Sequence, residues 1–153
     1  MPNLRSARRR AVAAALATAP FAFAWRFARV YRVRAGFPRR HIPTHDPAAL
    51  GLAFETVEVP SGELRLPAWW IPASDGAAGP AVVLVHGWES ARDRTLPMAW
   101  FLQAAGFHVL TFDVRGHGLN EPETLPMSAG EFGSDALAAF RAVIERPEVT
   151  SAA

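Results

Sequence analysis

The sequence of 153 residues contains no cysteine and no lysine. Without cysteine the chain cannot form disulfide bonds, use a thiolate nucleophile or hold a metal through thiolate ligands. Without lysine it cannot carry out Schiff-base chemistry, and it lacks the side chain with which P-loop proteins bind phosphate. Neither thiol-based chemistry nor a nucleotide-binding P-loop is therefore expected.

Acidic residues are missing from the first part of the chain, where none occurs before Asp46. Ten of the sixteen arginines lie in that part, so residues 1–45 carry a charge of about +10. Residues 46–153 contain all 14 acids and carry a charge of about −8. The arginine-rich part shows no aromatic residues interleaved with basic ones around a folded nucleic-acid motif, so nucleic acid is not an expected partner.

Residues 1–35 form a basic and apolar segment that resembles a membrane anchor or a signal sequence. Its uncharged stretch, residues 11–25, is about 15 residues long, which is shorter than the ~20 that a membrane span needs. A cleaved signal peptide is supported by the small residues Ala22 and Ala24, and an uncleaved anchor by the aromatic residues and arginines that follow. An organellar transit sequence and a basic surface helix are further alternatives.

The distribution of arginines around the uncharged stretch favours one orientation in a membrane. Four arginines precede it and six follow it before residue 46. Because positive residues resist translocation, we expect membrane association through residues 11–35, with the acidic part on the cytoplasmic side. Secretion after signal cleavage is the alternative.

Residues 36–51 contain three prolines and read as a linker, and residues 52–153 read as one domain. Two extended runs, residues 54–59 and 64–71, are predicted to form a hairpin joined by residues 60–63. Pro67 places the second strand towards a sheet edge, because proline lacks the N–H that a central strand needs. The adjacent Trp69 and Trp70 are expected on opposite faces of that strand.

Residues 81–118 contain two short apolar runs, each ending abruptly at polar and glycine positions. The runs at 81–85 and 107–112 are typical of strands buried on both faces, and residues 96–105 between them predict a helix closed by Gly106. This order is a βαβ unit, whose loops at the carboxyl ends of the strands are where such sheets bind ligands. Farther on, Ser128 and Glu131 predict a capping box and a helix that Pro147 ends, and residues 148–150 resemble the approach to another strand.

The run VVLVHGW at residues 82–88 and the run DVRGHG at residues 113–118 together resemble the amino-terminal half of the α/β-hydrolase family. The nearest likeness is to its lysophospholipase and serine aminopeptidase-like branch, over residues 52–150. The resemblance implies an α/β fold: an incomplete α/β-hydrolase sheet with an amino-terminal hairpin, a βαβ unit and a following helix, preceded by the apolar basic helix. It also implies hydrolysis of a small-molecule ester or amide by a Ser-His-Asp/Glu triad, with no metal and no cofactor.

The resemblance assigns roles by position in the motif. The backbone N–H of Trp88 would be an oxyanion-hole donor. His86 and His117 cannot be the catalytic base, because in this family the nucleophile, acid and histidine all follow the next strand. Asp113 is expected to organise a turn. The residues expected to support the two loops are His86, Gly87, Asp113, Arg115, Gly116 and Gly118.

No G-x-S-x-G motif occurs in the sequence. We therefore expect a chain truncated before its nucleophile, with no catalytic residue of its own and inactive alone. In the family's strand order, this truncation would expose strand 81–85 as a sheet edge, which predicts poor solubility or pairing with a partner. The alternative function is a non-catalytic stub that pairs through this strand with a complementary carboxyl-terminal hydrolase chain.

Overall fold

The structure is a computed structural model that describes the backbone of residues 4–153 and the side chains from residue 7 onward. It divides into two compact units between Gly36 and Phe37. The first unit is one helix, α1 (Leu4–Gly36). The second unit, Phe37–Ala153, includes residues 37–51 and contains the sheet.

Helix α1 has 33 residues, which corresponds to a length of about 50 Å at 1.5 Å per residue. Its large apolar side chains are exposed, and the rings of Phe23, Phe27 and Tyr31 stack in succession at 6.4 Å between centroids. Within it, Ala7–Gly36 has the length and composition of a membrane span, with a mean hydropathy of 1.4 in its most apolar window. A signal sequence would have the same properties, so α1 weakly indicates either a membrane anchor or a signal.

The second unit is built on a five-stranded mixed sheet with the strand order β1-β2-β4-β3-β5. Strand β2 pairs antiparallel with β1 and β4, and β3 pairs parallel with β4 and β5. This arrangement confirms the predicted α/β fold with an amino-terminal hairpin and a βαβ unit. The elements in chain order are β1 (Glu55–Ser61), β2 (Leu64–Ile71), β3 (Gly79–Val85), α2 (Leu96–Ala104), β4 (His108–Phe112), α3 (Ala129–Ile144) and β5 (Val149–Ala152).

The hairpin turn is tighter than predicted. Pro60 and Ser61 belong to β1, where they pair with Arg65 and Leu64. The turn is therefore reduced to Gly62 and the residue after it. Gly62 has φ = 62°, a left-handed conformation that glycine adopts without steric cost.

The expectation that Pro67 marks a sheet edge is wrong, because β2 lies between β1 and β4. The proline is tolerated because it sits where β4 has just ended. The Pro67 carbonyl accepts the Asp113 N–H at 2.9 Å. Any other residue at position 67 could return a hydrogen bond from its N–H to the Asp113 carbonyl, but proline has no N–H. The Asp113 carbonyl instead accepts the side-chain amide of Asn120 at 2.8 Å.

The expectation that β3 is an exposed edge is also wrong. Residues 148–153 already form the next strand, so β5 covers β3 from Gly79 to Val83. The Val83 N–H donates to the Ala153 carbonyl at 2.8 Å, and the Ala153 N–H donates to the Ala81 carbonyl at 3.0 Å. The outer strand on this side is β5. The predicted pairing of a partner chain with β3 thus loses its structural basis.

Helices α2 and α3 cover opposite faces of the sheet. Trp70 packs in the core beneath α3, and Trp69 packs in the core beneath α2, which confirms that the two tryptophans point to opposite faces. Helix α2 ends at Ala104 and is followed by Gly106 with φ = 88°, as the glycine predicts. Helix α3 begins with the predicted capping box between Ser128 and Glu131.

Candidate active site

The loop after β3 and the loop after β4 meet at the carboxyl ends of their strands, and His86 joins them. Its Nδ1–H donates to the Gly87 carbonyl at 2.9 Å, and its Nε2 accepts the Val114 N–H at 3.1 Å. The imidazole is buried, and burial lowers the pKa of His86 below its ordinary 6.5. His86 is therefore a neutral bridge between the loops at neutral pH.

Trp88 lies at the tip of the loop after β3, with 41% of its surface exposed. Its backbone N–H has no hydrogen-bond partner within the part of the chain that the structure describes. The next residue, Glu89, has φ = 53°, a left-handed conformation that costs a residue with a Cβ about 1–2 kcal/mol. The Glu89 carboxylate accepts the Arg39 N–H at 3.2 Å, which ties this tight turn to the segment before the sheet.

Asp113 is fully buried and organises the loop after β4. Its Oδ1 accepts the Arg92 N–H at 2.8 Å, and its Oδ2 accepts Arg92 Nη1 at 2.7 Å and the Leu119 N–H at 3.0 Å. Gly118 packs directly on this carboxylate, and a Cβ at position 118 would overlap it. Because both oxygens of its carboxylate accept hydrogen bonds from within the protein, Asp113 shapes the loop and is not available as an acid catalyst.

Arg92 is the buried cation opposite Asp113, and no sequence pattern pointed to it. Its guanidinium lies 4.2 Å from the ring centroid of Trp69, in a cation–π contact. Burial lowers the pKa of Arg92, and the neighbouring Asp113 and Asp93 oppose that shift. The side chain therefore stays charged and fixes the start of the segment that leads into α2.

Asp135 is a second buried carboxylate, and it connects α3 with the loop after β4 and with the hairpin. Its carboxylate accepts a bidentate pair from Arg115, with Nε at 3.0 Å and Nη2 at 2.7 Å, and it also accepts the Arg115 N–H. The hydroxyl of Ser61 donates to it at 2.7 Å. The hydrogen bond to Asp135 raises the pKa of Arg115, which stays charged.

His117 is fully buried beneath Trp88, and its ring centroid lies 5.2 Å from those of Trp88 and His86. Its Nδ1 bonds the Arg115 carbonyl at 2.9 Å, and its Nε2 has no partner among the described residues. His117 thus supports the Trp88 side chain from below. Gly116, with φ = 64°, makes the turn between these residues.

The segment 38–44 packs on these loops from outside the sheet. The guanidinium of Arg40 donates to the Gly118 carbonyl at 3.1 and 3.2 Å. The Thr44 N–H donates to Asp93 Oδ2 at 3.0 Å, and His41 Nε2 lies 3.4 Å from the same oxygen. Burial raises the pKa of Asp93, but these hydrogen bonds outweigh it and lower the pKa overall.

The chemistry of the site follows from which polar groups are left free. The buried carboxylates of Asp113 and Asp135 are neutralised by arginines, and the His86 imidazole bonds backbone groups through both nitrogens. In the described part of the chain, no cluster of histidine and acidic residues could hold a metal ion. What the loops present to solvent is the unpaired N–H of Trp88, which is suited to donate a hydrogen bond to a negatively charged ligand oxygen.

Comparisons with known proteins agree with this geometry. The sequence profile of a family described as serine aminopeptidase, S33, matches residues 76–150, which include β3, α2, β4 and α3. An esterase from Pyrococcus furiosus superposes on 77% of the chain with a TM-score of 0.61 and 24% sequence identity. An α/β hydrolase from Penicillium sp. superposes on 65% of it with a TM-score of 0.58 and 29% identity. In sequence and in fold the chain therefore resembles part of an α/β-hydrolase.

The chain spans only part of the proteins that it resembles. It covers 46% of the Pyrococcus esterase and 35% of the Penicillium hydrolase. An uncharacterized protein of Mycobacterium tuberculosis is 39% identical over 64 residues, which are 42% of this chain and 22% of the relative.

The structure brings all the sequence-predicted supporting residues to one end of the sheet. The groups that sequence reasoning missed are Arg92, Glu89 and Asp135. Asp135 occupies an inward position of a helix whose apolar pattern was clear, and a lone acid at such a position is the one signal that could have indicated it. Arg92 and Glu89 lie in a polar loop, and no sequence pattern in that loop distinguishes a charge that makes tertiary contacts from one that is only solvated.

Proposed function

We propose that this chain supplies the oxyanion side of a serine hydrolase that cleaves ester or amide bonds. The observation that carries the proposal is the unpaired Trp88 N–H at the carboxyl end of β3, in a loop that His86 bonds to the neighbouring loop. A backbone donor held in this way is already oriented before substrate binds. It would stabilise the negative charge that develops on a carbonyl oxygen during nucleophilic attack.

The residues around Trp88 leave room for such a substrate. No atom outside the immediate neighbours lies within 4 Å of the position that a Cβ on Gly87 would occupy. A carbonyl oxygen can therefore approach the backbone closely from this side. Asp113 and Arg115 hold the loop after β4 against it through the buried ion pairs with Arg92 and Asp135.

The nucleophile, the acid and the catalytic histidine are assigned to no residue of this sequence, which contains no G-x-S-x-G motif. In the proposed enzyme they belong to the part of the fold that extends beyond the residues matched here. His86 and His117 are positioning residues in this scheme. Neither reaches a substrate oxygen directly, since both are buried beneath the loop.

A loop graft tests the proposal. Residues 86–92 and 113–118 would replace the corresponding loops of the Pyrococcus esterase, and hydrolysis of a chromogenic ester would be measured. We expect the folded graft to keep esterase activity, because the transplanted loop provides an equivalent donor. A graft that folds, as judged by circular dichroism, but has lost hydrolysis would contradict the proposal.

We also propose that α1 anchors the protein in a membrane, with the second unit on the cytoplasmic side. The support is the length and composition of α1 and the six arginines after its uncharged stretch. Deletion of residues 1–35 is expected to release the protein from membrane fractions. Persistence in the membrane after that deletion, or recovery of a cleaved, secreted form of the full chain, would contradict this assignment.

A further inference from the structure

The segment of residues 38–44 joins the two loops of the candidate site from outside the sheet. The Arg40 guanidinium donates to the Gly118 carbonyl, in the loop after β4, at 3.1 and 3.2 Å. The Arg39 N–H donates to the Glu89 carboxylate, in the loop after β3, at 3.2 Å. Because one partner lies in each loop, the segment is a second bridge between the loops, in addition to the buried imidazole.

The contact from Arg40 is made at the residue that packs on the Asp113 carboxylate. Gly118 lies against that carboxylate, and the next residue, Leu119, donates its N–H to Asp113 Oδ2 at 3.0 Å. Arg40 is half-buried, and hydrogen bonds from a charged donor are stronger than those between neutral groups. Loss of the Arg40 side chain would therefore free the Gly118 carbonyl and loosen the end of this loop.

The contact at Glu89 acts on the turn that carries the Trp88 N–H. Glu89 has φ = 53°, a conformation that is strained for a residue with a Cβ. Such a conformation persists only where the surrounding structure holds it. The Arg39 N–H provides one contact that does so, directly after Trp88 in the chain. Release of this contact would allow the Glu89 backbone to relax and would displace the Trp88 backbone with it.

Further contacts hold the segment at both of its ends. Thr44 donates to Asp93 Oδ2 through its N–H at 3.0 Å and through its hydroxyl at 3.3 Å, and His41 Nε2 lies 3.4 Å from the same oxygen. At the other end, Pro38 Cγ lies 3.7 Å from the position of a Cβ on Gly116. Because both ends are held, the contacts of the residues between them cost little further chain entropy.

We propose that residues 38–44 are a strap that positions the oxyanion loop, and that Arg40 is its main positioning residue. With the strap in place, the loops after β3 and β4 keep one arrangement, in which the Trp88 N–H is oriented before substrate binds. Without the Arg40 side chain, the loops would populate several arrangements. The proposal rests on the proposed function for the role of the Trp88 N–H, but the effect of the strap on loop order does not depend on that function.

Amide hydrogen exchange of the full chain in a mild detergent, followed by NMR, tests the strap. Arg40→Ala removes the hydrogen bonds to the loop after β4, whereas the matched control Arg39→Ala removes an equal side chain but keeps the backbone N–H that contacts the loop after β3. The N–H groups of Leu119 and Val114 report on the loop, because each donates to a side chain within the site. We expect both to exchange at least about tenfold faster in Arg40→Ala, and neither to change in Arg39→Ala.

A second control separates loop opening from a general loss of stability. Arg146→Ala removes hydrogen bonds to Glu55 and Glu148 at the amino ends of the parallel strands, away from the site. It should speed exchange in β4 but not at Leu119 or Val114, which exchange through local opening of the loop. Unchanged loop exchange in Arg40→Ala, or an equal increase in Arg146→Ala, would overturn the proposal.

The loop graft on the Pyrococcus esterase tests whether the strap acts on catalysis. A graft that also carries residues 38–44 should have a kcat about tenfold higher than the graft of the two loops alone, with an unchanged KM, since the strap orients the donor without contacting substrate. Equal kcat values in two active grafts would overturn the positioning role. Two folded but inactive grafts, together with the expected exchange pattern, would instead reject the hydrolase assignment.

Discussion

Replacement of Gly118 by alanine tests whether Asp113 organises the site as the structure indicates. The new Cβ would overlap the Asp113 carboxylate, and φ at this position is 54°. The left-handed conformation costs alanine about 1–2 kcal/mol. Displacement of the carboxylate from Arg92 uncouples a buried ion pair, which costs about 3–5 kcal/mol.

The matched control is Gly62→Ala in the hairpin turn. Gly62 has a similar φ of 62°, and no atom lies within 4 Å of its Cβ position. Only the conformational cost of about 1–2 kcal/mol therefore applies to this variant. The difference between the two variants isolates the contact with Asp113, and we expect it to be about 3–5 kcal/mol.

Urea unfolding of the full chain in a mild detergent, followed by tryptophan fluorescence, measures both variants. With a denaturant slope of about 2 kcal/mol per molar urea, the midpoint of Gly118→Ala should lie roughly 2 M below that of Gly62→Ala. Equal midpoints for the two variants would show that the contact between position 118 and Asp113 does not affect stability. So would a Gly118→Ala protein as stable as the unsubstituted chain.

The remaining predictions concern the second ion pair, pH and covalent labelling. Asp135→Ala should destabilise the fold by about 3 kcal/mol, because it leaves Arg115 without its main partner. Glu131→Gln should change the stability little, because the contact between Glu131 and Arg115 is exposed and 3.6 Å long. Urea unfolding measures both variants, and similar losses of stability would contradict this prediction. Because burial lowers the pKa of His86 in the folded state, the unfolded chain binds more protons below pH 6.5, and stability should fall on acidification through that value. A His86→Asn variant should show a flatter decline between pH 7.5 and 5.5, and an identical decline would count against the assignment. A fluorophosphonate probe should not label the chain, and clear labelling of any serine would show a nucleophile that the sequence does not indicate.

Local signals in the sequence were sufficient to predict most elements of the fold. The capping box at Ser128 and the glycine at 106 act within one turn of their helices, so neighbouring residues determine them. The alternation that places Trp69 and Trp70 on opposite faces is likewise a property of one strand. Such features are visible without knowledge of the tertiary structure.

Pairing between distant segments was less predictable. Pro67 suggested an edge strand because a proline cannot donate a hydrogen bond to a neighbouring strand. In the structure Pro67 lies opposite Asp113, just beyond the end of β4, so β4 itself loses no hydrogen bond there. The buried Asp135 contacts Ser61, 74 residues away in sequence, and Arg115, 20 residues away. No local pattern specifies which distant charge a buried charge will meet.

The resemblance to α/β-hydrolases identified the two loops, and the structure added how they are joined. The predicted residues His86 and Gly87 needed no tertiary information beyond the motif itself. The bridge from His86 to Val114 could not be read from the sequence, because it depends on β3 and β4 being neighbours in the sheet. Similarly, the fastening of segment 38–44 to the loops was hidden by its linker-like composition.

The proposed function requires that the Trp88 N–H acts as an oxyanion donor. The most direct measurement compares Trp88→Pro with Trp88→Ala in the loop graft on the Pyrococcus esterase. Proline removes the backbone hydrogen, and alanine removes the side chain but keeps that hydrogen. We expect proline to lower kcat by about 10²–10³-fold and alanine to leave it within about tenfold. Equal activity of the two variants, with both folded, would contradict it.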